Sequence, residues 1–256
     1  MPNGRANFIA DDFLHTVKCA LARAQFSMLS PGAASVLLFD SALWGLHTES
    51  AESLLDAGER ARAARFRFER DREPYVVAHA LWRAALGICL GVDACDVPLG
   101  NTSGGQPYVS GTQLATSLSH SGSWVAIAVC AAETVGVDIE RSPSHMTLTE
   151  LMPRFCTTEE IAEVLPLHPL LRESALLSLW TRKEALLKAF GTGLSEEPSR
   201  MKATTTALVP PPASATTRIP CRVRDIGLPA GLIGALAAPS TITACRLHWL
   251  DEMRLH

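Results

Sequence analysis

The sequence predicts an α+β fold made of two parts of similar size, and three observations carry that expectation. Val135, Val137 and Ile139 alternate with Gly136, Asp138 and Glu140, the period-two pattern of a strand with one apolar face and one face bearing two carboxylates. Further along, Leu176, Leu179, Trp180, Leu187 and Phe190 recur at helical spacing, with Thr181, Glu184 and Lys188 sharing the neighbouring face. Finally, helices followed by strands run to about residue 132, and a strand, helices and strands follow from about 133. The expected division is an N-terminal extension over 1–34, an N-terminal half over 35–132 and a C-terminal half over 133–256 that carries the acids.

Composition agrees with a globular chain. A hydrophobic content of 47% over 256 residues is ample for a buried core. The net charge of -3 and a pI near 6.2 supply no global attraction to nucleic acid or an anionic membrane, so any anion must be held by a local patch. Seven cysteines without a C-x-x-C pair read as reduced thiols rather than a disulfide framework. No segment reads as a leader or a membrane span, and the expected compartment is the cytoplasm.

Taken in order, Phe13, Leu14, Val17 and Leu21 suggest a short helix that ends at the breaker cluster Ser30-Pro31-Gly32. Ser35 to Asp40 reads as a buried strand, and residues 49–68 as an arginine-rich helix carrying Arg60, Arg62, Arg65 and Arg67. Pro74 opens the next helix, with an apolar stripe through Leu81 and Trp82, and Gly91 closes it. Asn101 to Pro107 is turn-rich; Ala115 to Leu118 is a short strand, Ser119 to Gly122 a turn, and Trp124 to Val129 an apolar strand. Thr157 or Thr158 caps a short acidic helix, and a long helix runs from about Arg172 to Phe190. The proline-rich stretch 204–217 reads as loop, and 232–238 and 242–250 as strands. Met146, Leu148, Leu151 and Met152 are either core or a surface for docking a partner helix.

The acids suggest a chemistry. Asp138 and Glu140 point the same way about 7 Å apart along the strand. With Glu184 they make three carboxylates, the oxygen ligands that a hard cation such as Mg²⁺ prefers. The same residues also fit a solvated strand face and an ordinary Glu184–Lys188 helix pair.

The runs Ser117-Leu118-Ser119-His120-Ser121-Gly122, Gly136-Val137-Asp138-Ile139-Glu140 and Trp180-Thr181-Arg182-Lys183-Glu184-Ala185-Leu186-Leu187-Lys188, in this order, resemble the Sfp-type 4′-phosphopantetheinyl transferases. The resemblance covers about Arg60 through Leu194. It implies a pseudo-dimer of two α/β halves, a monomer with internal twofold pseudosymmetry, binding coenzyme A and Mg²⁺ in the cleft between them. It implies transfer of the phosphopantetheine arm of coenzyme A to a serine of an acyl or peptidyl carrier protein, with release of adenosine 3′,5′-bisphosphate. On this resemblance Asp138, Glu140 and Glu184 hold the metal, and Glu184 is the candidate base for the serine hydroxyl, with Lys183 flanking the reacting centre. Ser119, His120 and Lys188 contact the phosphates, as does Arg62, which matches a family cation.

Two positions depart from the family pattern. Gln106 stands where many relatives carry the lysine of a Gly-Lys-Pro loop that binds a coenzyme A phosphate, and is expected to contact coenzyme A by a hydrogen bond without charge; Pro74 stands where relatives usually carry an arginine. Arg62, Arg72, His79 and Arg83 are the cations available to compensate, because charge-assisted contacts are roughly twice as strong as neutral ones. Two alternatives stay open here: a metal-dependent phosphodiesterase or nuclease built on the same acids, and a coenzyme A or carrier-binding module without transfer activity.

Overall fold

The computed structural model describes residues 3–27, 30–102, 104–144 and 147–251. The core is layered as helix, sheet, sheet, helix. The first sheet has the order β4 (Leu114–Ser121), β5 (Trp124–Ala131), β1 (Ala33–Asp40), β9 (Ala244–Trp249), with β9 parallel to β1 and the other pairings antiparallel. The second is antiparallel, in the order β6 (Gly136–Arg141), β8 (Leu232–Pro239), β7 (Cys221–Asp225). Period-two alternation separates the faces. Leu37, Phe39, Val125 and Ile127 pack on the long helix α4 (Glu69–Leu90), while Val36, Leu38, Ala126 and Ala128 face Val137, Ile139 and Leu236 of the other sheet. The outer face of the second sheet, with Val223, Ala235 and Ala237, packs on α7 (Pro169–Phe190). Helices α4 and α7 each end at a glycine in the left-handed region, Gly91 at φ 69 and Gly191 at φ 68. The molecule is thus the mixed α+β fold expected, with sheet faces meeting in the middle.

Several expectations shift. The segment 1–34 is no appendage: α1 (Asn3–Arg23) buries Phe13, Val17 and Leu21 in the first core. The C-terminal half also reaches across residue 133, because β9 completes the first sheet. Residues 49–68 form two short helices, α2 (Thr48–Glu52) and α3 (Ala57–Ala63), because Asp56 starts a new helix through a capping box with Glu59. Pro74 lies inside α4 rather than at its start, in the second turn, where it leaves the Arg70 carbonyl without a helical N–H. Ser119 to Ser121 belong to β4, since the chain reverses over Gly122, at φ 61, and Ser123.

Between β6 and α7 lies a small helical layer, α5 (Leu148–Phe155) and α6 (Thr158–Val164), the latter capped by Thr157 with Glu160. Leu148 and Met152 are buried and Leu151 packs against the same cluster, so these residues are core rather than docking surface; Met146 lies outside the described residues. Short strands β2 (Leu99–Asn101) and β3 (Pro107–Val109) flank the loop that carries Gln106.

Glycine at 136 lets α7 lie directly on β6. A Cβ there would stand 1.9 Å from Ala185 O and 2.6 Å from Ala189 N, both backbone atoms that a rotamer change cannot move. Gly136→Ala is therefore expected to destabilise the fold by about 3 kcal/mol or more, the upper end for overpacking, read as a lowered urea midpoint with unchanged slope.

Candidate active site

Serines at every second position of β4 set the geometry of the acids. The edge amides of β6 at Val137, Ile139 and Arg141 donate to the hydroxyl oxygens of Ser117, Ser119 and Ser121 at 3.2, 3.3 and 3.1 Å. The same hydroxyls hold the carboxylates: Ser119 donates to Asp138 Oδ1 at 2.8 Å and Ser121 to Glu140 Oε2 at 2.7 Å. This stitch joins the two sheets and aims the acids at α7, where Glu184 and Lys188 share a face. Alternating serines at 117, 119 and 121 were the sequence signal for it.

Asp138 is only 5% exposed, and burial pushes its carboxyl up, opposed by Lys188 and Ser119. Lys188 Nζ donates to Asp138 Oδ1 at 2.8 Å and to Val137 O at 3.0 Å. Glu184 is pushed up to about 7, first by burial and then by the negative charge of Asp138, with Glu140 adding to it. Asp138 Oδ2 and Glu184 Oε1 are buried without a hydrogen-bond partner. Two orphaned carboxylate oxygens within mutual repulsion are a donor set short of positive charge, which fits a hard cation. With Lys188 on Asp138, no three acid, histidine or cysteine side chains among the described residues converge as a ready metal cluster.

From Asp138 and Lys188 a cavity of about 650 Å³ runs between the halves to Arg62, Tyr75 and His79. At that far end the Tyr75 and His79 rings stack with centroids 4.1 Å apart, and the Arg62 guanidinium lies 5.7 Å from the Tyr75 centroid. Burial first, then the nearby Glu59 charge, pushes the Tyr75 hydroxyl up to about 12, so it stays a neutral donor. Burial also acts to raise Glu59, yet hydrogen bonds from His79, the Asp56 amide and Arg83 outweigh it and hold the carboxyl below its usual range. Tyr75 and Glu59 were not singled out in the sequence because nothing local separates them from ordinary helix residues.

The structure divides the expected site residues. Asp138, Ser119, His120, Lys188, Arg62 and Gln106 line the cavity. Glu140 and Glu184 stand beside Asp138, held by Ser121 and by α7. Four of the expected residues are engaged elsewhere. Arg83 is 1% exposed and fully engaged, donating to Glu59 Oε2 at 2.5 Å, to Val97 O at 3.1 Å and to Asp56, so it braces α3 against α4 instead of reaching a ligand. Lys183 is 0% exposed and turns away from the acids: it pairs with Glu160 at 2.7 Å and donates to Pro198 O at 2.9 Å. One helical residue is about 100° of rotation, which turns Lys183 to Glu160 while Glu184 stands beside Asp138. Arg72 is likewise engaged, with Glu52 and with Glu69 at 2.6 Å. Ser119 reaches the cavity with its hydrogen already donated to Asp138, which leaves it no donor for a phosphate.

Comparison with known proteins follows the same division of the chain. The profile of the 4′-phosphopantetheinyl transferase superfamily matches residues 134–222, and that of the 4′-phosphopantetheinyl transferase N-terminal region matches residues 46–132. The 4′-phosphopantetheinyl transferase HetI of Nostoc sp. is 31% identical over 60% of this chain and 70% of its own length. The chain belongs to the 4′-phosphopantetheinyl transferase family. Within the family, a Bacillus subtilis 4′-phosphopantetheinyl transferase is 28% identical over 55% of this chain, and psf-1 of Bacillus pumilus is 30% identical over 67%. The matches span 62% of the B. subtilis relative and 71% of the B. pumilus one. The boundary between the two family profiles falls just before β6, so the acids of the C-terminal half and the cations of the N-terminal half meet across it.

Proposed function

We propose that this chain transfers the phosphopantetheine arm of coenzyme A to a serine of an acyl or peptidyl carrier protein. The observation that carries this is a cleft that runs from Asp138 and Lys188, with Glu140 and Glu184 beside Asp138 and buried oxygens of Asp138 and Glu184 unpartnered, to a far end with the Arg62 guanidinium and an aromatic pair. That arrangement suits a donor with a pyrophosphate at one end and a nucleoside at the other. Asp138, Glu140 and Glu184 would hold Mg²⁺, which when bound supplies positive charge at the pyrophosphate oxygens.

The chain's own residues do the rest. Lys188 presents its ammonium beside Asp138, where the pyrophosphate must lie, and adds charge to the departing adenosine bisphosphate. Arg62 and the Tyr75–His79 pair hold the adenosine end and orient the donor along the cleft. The carrier serine oxygen attacks the phosphorus that bears the pantetheine, and the bond from that phosphorus to the leaving phosphate oxygen breaks. Glu184, beside Asp138 at the acidic end of the cleft, takes the serine proton. All seven cysteines are free thiols, which supports a reducing, cytoplasmic setting for the reaction.

Intact-mass measurement of several carrier domains with coenzyme A, Mg²⁺ and this protein is the direct test. The expected result is a gain of one phosphopantetheine on at least one carrier. Coenzyme A binding without mass gain on any of them would favour a binding module instead.

A further inference from the structure

Gln106 belongs to the N-terminal half, yet its side chain ends on the C-terminal half. Its Nε2 donates to Lys188 O at 3.2 Å and Ala189 O at 3.3 Å, two carbonyls of the last turn of α7 that also accept from Gly191 N and from the Thr134 hydroxyl. Its Oε1 accepts from Thr216 Oγ1 at 2.8 Å, and Thr216 is itself anchored by its amide on Phe190 O at 2.9 Å. The loop beneath is closed by Thr102 N to Gln106 O at 2.8 Å and Gln106 N to Thr102 Oγ1 at 3.1 Å. Opposite it, Gly191 has φ +68, and a Cβ there would stand 2.2 Å from Gln106 Oε1, so glycine is required for the side chain to enter. A primary amide has two N–H groups, and each already has a carbonyl. No donor remains for a phosphate.

We infer that Gln106 is a positioning residue: a clasp across the cleft that caps α7 and thereby fixes where Lys188 presents its ammonium, rather than a ligand of the donor. This role rests on the transferase reading above. The residue before the two capped peptide units carries the chain into β6 contact, since Lys188 Nζ reaches Val137 O and Asp138 from the same turn whose carbonyls Gln106 holds. A neutral amide does this without placing a second buried charge beside Lys188. Losing it removes the tie between the Gln106 loop and the end of α7 and lets the cleft relax at the phosphate end.

The test is coenzyme A affinity by calorimetry on the full chain, in the wild type, Gln106→Ala, Lys188→Met and the double variant, with folding checked by thermal melts. Gln106→Ala is expected to weaken binding about 5- to 10-fold, the loss of two modest hydrogen bonds that hold the lysine. In the Lys188→Met background the same change is expected to add nothing further, because its effect passes through the lysine. Thr216→Val, a change at an exposed site outside the cleft, is expected to weaken binding in the same direction by a smaller factor, and serves if Gln106→Ala does not fold. Effects that multiply in the double variant would make Gln106 a direct ligand and overturn the role. A Gln106→Ala protein with a lowered melt and wild-type affinity would overturn it as well, leaving only a structural contact. A wild type that binds no coenzyme A would overturn the transferase reading and this role together, whereas the two preceding outcomes leave that reading standing.

Discussion

Replacing Asp138 by asparagine is expected to reduce phosphopantetheine transfer by on the order of 100-fold or more, because changes to partners of metal ligands alone cost 10- to 100-fold and a ligand should cost no less. The residue is the hinge of the acidic end: it accepts from Ser119 and Lys188, keeps one oxygen without a partner, and is nearly inaccessible. Asparagine keeps the shape and one acceptor, so the β6 to β4 stitch should survive and the melt should stay close to that of the wild type. The measurement is initial rate by mass gain of a carrier at saturating coenzyme A. Wild-type turnover in Asp138→Asn would remove this residue from the reacting centre.

Glu184→Gln is expected to separate function from stability in opposite directions. The folded carboxyl sits near 7 against an ordinary value of 4.5, so the folded state holds a proton that the unfolded state releases over that interval. Its ionisation therefore destabilises the fold progressively as pH rises from about 4.5 to 7, fully above 7 and not at all below 4.5. Removing the charge should stabilise the metal-free protein at pH 8 by on the order of 2 kcal/mol, since one pKa unit is about 1.4 kcal/mol and the neighbouring acids readjust. The gain should vanish when both proteins are melted near pH 4. Mg²⁺ should raise the melting temperature of the wild type at pH 8 and raise that of Glu184→Gln much less, because binding to the folded state alone stabilises it. Transfer should fall in the variant. A variant no more stable than the wild type at pH 8 would show that burial and the neighbouring acids do not raise the Glu184 carboxyl in the folded protein.

These two predictions rest on residues that differ in how readily the sequence exposes them. Asp138 and Glu140 were legible as a pair because strand alternation is local: Val137 and Ile139 declare the apolar face, and the acids take the other. Glu184 and Lys188 were legible for the same reason on a helix. What periodicity could not reveal was the rotation of α7 about its axis. That rotation is set by Gly136, whose missing Cβ admits Ala185, and it puts Glu184 at the acids while Lys183 enters the layer beneath with Glu160. An adjacent pair of residues thus splits between site and core, and only packing assigns which goes where.

The arginines repeat this lesson. Arg62, Arg72 and Arg83 look alike as candidates for a phosphate in sequence, but charge alone does not say which are already engaged. Arg83 is closed in by Asp56 and Glu59, the pair that caps α3, and Arg72 by Glu52 and Glu69, which leaves Arg62 over Tyr75 at the cleft. Gln106 is the converse case, a neutral residue at a position where a cation was expected, whose use appears only when the end of α7 arrives from a part of the chain far away in sequence. By itself the sequence determined the α+β class, the strand that presents two acids, the long helix that presents a third with a lysine, and the family. The tertiary structure decided the face of α7, the serine stitch between sheets, the free and engaged cations, and the clasp at Gln106, because each depends on which side chains two distant segments bring within hydrogen-bond reach.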